Sequence, residues 1–204
     1  MDINADIKGL ASRIQKAVAT HPIPEVFHEI SRELKEIFRA DRLCLVLIRE
    51  DKLSAIDYFV YTTHGNSFLP VGSVFSLEGS ITGEILKTRN PVIVKDTTEG
   101  RYLTDRLLLK EDIRSRLGLP LFYGGEVIGA LCMGSRMVGN FSEEHVAVWM
   151  KISPFISVVA ENARLIQRLK DSSEELTKEI NERKRMEEEL KALNESLEQR
   201  VARR

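Results

Sequence analysis

HEISREL, beginning at His28, sets an imidazole directly before a carboxylate in a helical pattern, an arrangement that suits a phosphoryl-accepting histidine. No glycine-rich ATP-binding stretch occurs in the chain. His28 also lies off the apolar stripe of its helix, so an ordinary solvent-facing histidine is expected, with no autophosphorylation. Cys44 lies within LCLVLI and Cys132 within GALCMG, without CxxC or metal-ligand spacing. Thiol catalysis needs an exposed thiolate of lowered pKa and a resolving partner. Cysteines inside aliphatic runs are instead expected to be buried and reduced, which points to a reducing compartment. His64, in YTTHGNS, lies near a strand end from which it can reach a pocket as a haem ligand, yet beside Gly65 it reads as turn chemistry. No metal site and no catalytic group are expected.

The elements that must position these residues follow from periodicity. Ile3, Ile7, Leu10, Ile14 and Val18 recur at helical steps, predicting an amphipathic helix over residues 1–20 that stops before a turn at His21 to Pro24. In EVFHEISRELKEIFRA, the residues Val26, Phe27, Ile30, Leu34, Ile37 and Phe38 form one broad stripe, which predicts a helix packed on a sheet. RLCLVLI and IDYFVYT, separated by the polar REDKLS, read as an antiparallel hairpin. SLEGSITGEILKTRNP reads as a glycine-punctuated loop and a short helix around Ile81 to Lys87, closed by Asn90 and Pro91 before the strand VIVKD. RLGLPLFYGGEVIGALCMGSR reads as two strands turning at Gly124-Gly125, where positive φ is needed. A last helix begins at NFSEEHVAVWM, with Ser142 as N-cap, Glu143 and Glu144 at the positive end of its dipole, and Phe141 stapled onto Val146. Pro154 is expected to kink or divide this helix near Ser153.

Composition bounds the function. A hydrophobic fraction of 43% supports a real core, and 30 basic against 31 acidic residues leave no field for nucleic acid or anionic lipid. The N-terminus has no apolar signal core, and the longest apolar run is broken by Pro120, Gly124, Gly125 and Glu126. A cytoplasmic chain with neither nucleic-acid nor membrane partners is expected.

Three stretches, in order, carry a family resemblance: SLEGSITGEILKTRNPVIVKD, SRLGLPLFYGGEVIGALCMGSR and FSEEHVAVWMKISPFISVVAENARL. Together they resemble the GAF family of sensory domains: a short helix before a strand ending in Asp96, a "PL" strand turning into a "viGaL" strand, and a closing helix ending in "ENARL". The resemblance spans about Glu25 to Leu165. It implies an α+β fold, an antiparallel sheet flanked by helices, over residues 21–164, and a small-ligand pocket between the sheet and the loop-helix segment. Tyr61, Ser80, Thr82, Tyr102 and Arg116 would then offer its polar contacts. One branch of the family reduces free methionine sulfoxide through pocket cysteines, but Cys44 and Cys132 do not match its loop positions. The Cys and aromatic-His grouping of bilin-binding members is not visible, nor is the Asn-Lys-Phe-Asp-Glu signature of cyclic-nucleotide members. No cofactor is required, and the ligand is unidentified.

EINERKRMEEELKALNESLEQRVARR is similar to the signalling helix that joins GAF or PAS domains to the dimerisation helices of bacterial sensor histidine kinases. Residues 165–204 are expected to be a coiled-coil helix, with the output domain lying beyond this sequence. With Phe155 as d, the a positions are Val159, Ile166, Ser173, Ile180, Glu187, Asn194 and Val201. The d positions that follow are Asn162, Leu169, Leu176, Arg183, Leu190 and Leu197. Such a seam predicts a parallel homodimer, with Arg183 and Glu187 neutralising each other and Asn194 fixing register. Met186, Leu190, Leu193 and Leu197 define a competing register, as a rotation switch requires. The expectation is a non-catalytic sensory and dimerisation module of a two-component signalling protein. A ligand-free dimerisation scaffold is the alternative, and a thiol-based methionine sulfoxide reductase the lesser one.

Overall fold

The computed structural model describes Gly9, residues 23–63 and residues 67–202, with the side chains of the last helix described as far as Lys191 and again at Gln199. Apart from Gly9, the helix expected over residues 1–20 lies outside the described residues, as do His64 and the side chains of Asn194, Leu197 and Val201.

The stripe of EVFHEISRELKEIF becomes helix α1, Ile23–Phe38, which buries Val26, Phe27, Ile30, Leu34 and Phe38. It starts at Ile23, so Pro24 lies in its first turn and not in the expected turn before it. A proline there forfeits only an N–H that no helical carbonyl would have accepted. Strand β1, Arg42–Ile48, pairs antiparallel with β2, Ser54–Thr62, which pairs with the short β3, Val74–Ser76. Helix α2, Ile81–Thr88, leads to β4, Val92–Val94, and a 3-10 turn at Thr97–Glu99 precedes the five-residue helix α3, Asp105–Leu109. Strands β5, Ser115–Tyr123, and β6, Glu126–Ser135, form the second hairpin. Its turn residues Gly124 and Gly125 have φ of 56° and 81°, the left-handed pair that a two-residue hairpin loop demands. Helix α4 runs over Glu143–Ala202. Strand β3, the 3-10 turn and α3 are each too short to show a period in the sequence.

The six strands form one antiparallel sheet in the order β3-β2-β1-β6-β5-β4, which gives the expected α+β class. Because β1 and β6 are central, β1 is buried on both faces. Leu43, Leu45 and Leu47 join a core with α1 and the α4 residues Trp149, Ile152, Ile156, Val159 and Ala163. Cys44, Val46 and Ile48 join a second core with Ile81 and Ile85 of α2. Each large aliphatic side chain so buried contributes about 1.5–3 kcal/mol before entropy is counted.

Two expectations for α4 are corrected. Pro154 lies inside the helix without dividing it. The lost backbone bond is outweighed where Trp149, Ile152, Ile156 and Ala160, on both sides of the proline, are anchored in the same core. Val159, assigned to a dimer seam, is 1% exposed in that core, and Phe155 packs partly against it. At the start of α4, the Ser142 backbone N–H donates to His145 Nδ1 at 3.1 Å, so the imidazole reaches back as the acid of a capping box would. The chain divides into two compact units, Met1–Arg164 and Leu165–Arg204.

Candidate functional site

The face of the sheet away from α1 carries an ordered set of polar side chains. Residues directly opposed across an antiparallel pair point to the same face. Arg42 of β1 stands opposite Gly134 of β6, which stands opposite Arg116 of β5, so two arginines occupy one row with no side chain between them. In the next row Cys44 faces Cys132, which faces Gly118. Asp57 of β2 joins this face through a bulge. Leu45 pairs with Phe59 but Val46 pairs with Asp57, leaving Tyr58 as the extra residue. Phe59 stacks on Phe27 of α1, with centroids 5.8 Å apart, while Asp57, two residues away, is turned to the opposite side.

These groups line a cavity with Ser80, Ile81 and Thr82 at the start of α2, Thr104 and Leu108 at α3, and Leu69 from the β2–β3 connection. Its volume, about 20 Å³, accommodates a single water. Gly118 lets α2 approach the sheet, since a Cβ there would lie 2.8 Å from Ile85 Cδ1 and 2.9 Å from Ile81 Cδ1.

The charges are paired between floor and roof. Arg116 forms an ion pair with Asp105 of α3 and donates to Thr104 Oγ1 at 3.2 Å. The Tyr102 backbone N–H donates to the other oxygen of Asp105 at 2.8 Å, and the Tyr102 ring lies 5.8 Å from the Arg116 guanidinium. Tyr102 Oη donates to Glu84 Oε2 at 2.7 Å, and burial together with that bond pushes the phenol well above its ordinary range. Arg42 Nε lies 3.4 Å from Glu111 Oε2, and its Nη2 donates to Leu69 O at 3.0 Å. Glu111 Oε1 in turn accepts from Ser67 Oγ and the Phe68 N–H. Cys44 Sγ donates to Asp57 Oδ1 at 2.7 Å. Two fully buried side-chain atoms of these cavity residues make no hydrogen bond: Asp57 Oδ2, an acceptor, and Arg42 Nε, a donor within ion-pair range of Glu111 but outside hydrogen-bond geometry.

Burial raises the pKa of both thiols, most strongly at Cys44, where the Asp57 carboxylate adds to it. Asp57 is also raised by burial, against the opposing pull of the Cys44 hydrogen bond and the Arg42 and Arg116 charges. Among the described residues, no three His, Cys, Asp or Glu side chains are grouped to hold a metal ion.

The family model described as GAF domain matches residues 22–159. The chain belongs to the GAF domain family. Solved structures share the fold: the GAF domain of an Acinetobacter phosphoenolpyruvate-protein phosphotransferase, at 15% identity over 81% of this chain and 97% of that one, superposes with a TM-score of 0.64. The free methionine-R-sulfoxide reductase of Neisseria meningitidis, at 17% identity over 81% and 95%, gives 0.62. The GAF domain of a two-component sensor histidine kinase from Bacillus halodurans, at 20% identity over 69% and 97%, gives 0.56. No curated protein matches the chain in sequence.

In this GAF domain Ser80, Thr82 and Arg116 line the cavity; Tyr102 is not among its lining residues, and its ring lies 5.8 Å from the Arg116 guanidinium. The Ser80 hydroxyl is engaged in holding α2, accepting from the Gly83 N–H at 3.0 Å and donating to Leu77 O. Tyr61 is not brought to the cavity. It lies on the α1 side, its ring edge-on to His28 at 5.8 Å, because it shares the face of Phe59. His28 itself is exposed, as its position off the stripe implied. Arg42, Asp57, Asp105 and Glu111 are not among the site residues expected from sequence. The first two carried a signal, a charge inside an otherwise apolar strand; the acids of the α3 segment carried none. Among the described residues no helix is long and apolar enough to cross a membrane.

Proposed function

We propose that this GAF domain is a non-catalytic sensory and dimerisation module of a signal-transduction protein of the sensor-histidine-kinase type. It takes a small ligand in the cavity and passes its state to an output unit through a parallel coiled coil formed by the α4 residues of Leu165–Arg204. The observation that carries this reading is the exposure of Ile166, Leu169, Leu176, Ile180 and Leu190, at 38% to 71%, on positions of one heptad seam. A lone helix leaves these aliphatics in water with no packed face to stabilise it, whereas a partner helix would bury the seam. The Bacillus halodurans neighbour, which shares the fold, is itself the GAF domain of a sensor histidine kinase and adds support.

The reductase neighbours raise a thiol reading. The state of Cys44 and Cys132 speaks against it, because buried thiols with raised pKa present little thiolate at neutral pH. Sedimentation velocity on the full chain tests the proposal. A dimer is expected, converted to a monomer by Leu176→Glu with Leu190→Glu, and Glu187→Cys is expected to oxidise to a cross-linked dimer, as parallel pairing requires. A monomeric parent chain would overturn it. A ligand-free scaffold would show no rise in Tm with any member of a metabolite panel.

A further inference from the structure

Arg42 and Arg116 stand on the rigid floor of the cavity, in strands β1 and β5 of the paired sheet. Two strand spacings separate them, about 10 Å between Cα atoms, and long guanidinium side chains over that span can converge on one small molecule. Both of their counter-carboxylates, Asp105 and Glu111, come from one short roof segment, α3 and the turn after it. All four side chains are more than nine-tenths buried. A buried ion pair rarely adds net stability over an apolar pair of the same shape, so two of them side by side call for another reason. The set is also incomplete. Arg42 Nε makes no hydrogen bond, although Arg42 lines the cavity.

We infer that the cavity is a site for a small dicarboxylate, whose two carboxylates replace Asp105 and Glu111 on Arg116 and Arg42, and that the present state is closed on the protein's own acids. This rests on the reading of the cavity as a sensory ligand site and names the ligand's class. At its present size the cavity holds one water, so the ligand enters only as α3 gives way. The ion pairs are the coupling: breaking both frees the roof from the sheet, while the arginines stay in place. A planar guanidinium suits a carboxylate bidentately, and two of them on one row select two carboxylates over one. A monocarboxylate would displace one local acid and leave the other holding the roof.

Isothermal calorimetry with succinate as probe tests the inference, with succinamide as its neutral counterpart and inorganic phosphate as a compact dianion. Succinate is expected to bind the wild-type chain, and Glu111→Gln about tenfold or more tightly, since a competing tethered carboxylate has been removed. Neither succinamide nor phosphate is expected to match it. Arg116→Gln alone strands a buried acid, so the double variant Arg116→Gln with Asp105→Asn is used, and it is expected to lose succinate while keeping its thermal unfolding transition. Absence of succinate binding to Glu111→Gln, equal binding of succinamide, preference for phosphate, or retention by the double variant would each overturn the inference. A metabolite of other charge that raises Tm while succinate does nothing ends this inference and leaves the sensory reading standing. A monomeric chain ends the dimeric signalling reading whatever succinate does.

Discussion

Cys44 and Cys132 face each other across β1 and β6 in the middle of the sheet, one donating to Asp57 and the other 4.0 Å from the Thr82 hydroxyl. Both are buried, and burial leads the causes that raise their pKa. In the folded protein, alkylation by iodoacetamide is therefore expected to be slow at pH 7 and to rise little toward pH 9, while both thiols react at once in denaturant. Rapid labelling of either thiol under native conditions would contradict this environment.

Among the described residues, Cys44 is the side chain that donates to Asp57. Cys44→Val should leave the buried carboxyl without that donor and cost about 1–3 kcal/mol, the penalty of an unsatisfied buried polar group. Cys44→Ser, which can still donate, should lose less. Urea unfolding of the two variants checks the order.

Asp57 also sets a pH dependence. Its folded pKa lies above the unfolded carboxyl value of about 3.9, so the folded state holds the proton longer. The native chain should then lose stability as pH climbs from about 4 through the raised value, against the background of other groups. Asp57→Asn removes that slope. The stability of the variant relative to the parent should grow between pH 4 and pH 7, as read by chemical unfolding at each pH; a constant difference would refute the assignment.

His145 works in the opposite sense. Burial chiefly holds its imidazole below the ordinary value, consistent with Nδ1 serving as acceptor for the Ser142 N–H. The unfolded imidazole, near pKa 6.5, takes up a proton first, so this contribution is complete above about pH 6.5 and is lost as pH falls through the folded value. NMR titration of His145 should show the depressed midpoint. His145→Gln, uncharged throughout, should flatten the loss of stability between pH 7 and pH 5.

Packing of α2 on β5 gives a steric prediction. Gly118→Ala puts a Cβ within 3.0 Å of Ile81 and Ile85 side-chain atoms, and overpacking of this kind costs about 1–3 kcal/mol. Ile85→Val in the same chain, which removes the nearest methyl, should recover part of the loss. Thermal unfolding of the single and double variants measures it.

Much of this molecule could be read from local pattern. The stripe Val26, Phe27, Ile30, Leu34 and Phe38 dictated α1, the aliphatic runs around Cys44 and Cys132 dictated buried central strands, and Gly124-Gly125 dictated the hairpin turn. Such features depend on residues a few places apart, which is why sequence alone determined them, and with them the family. The site was settled elsewhere. Tyr61 faces α1 and Asp57 faces the cavity, because one extra residue at Tyr58 reverses the alternation, and period alone would have put both on one side. Val159 answered to the sheet before any partner helix, and Pro154 was held in helix by neighbours from the same core. Asp105 and Glu111 meet Arg116 and Arg42 only because the roof folds over strands whose pairing joins distant segments. Periodicity tells which residues leave water; register and bulges, chosen by contacts across the whole sheet, decide which of them meet.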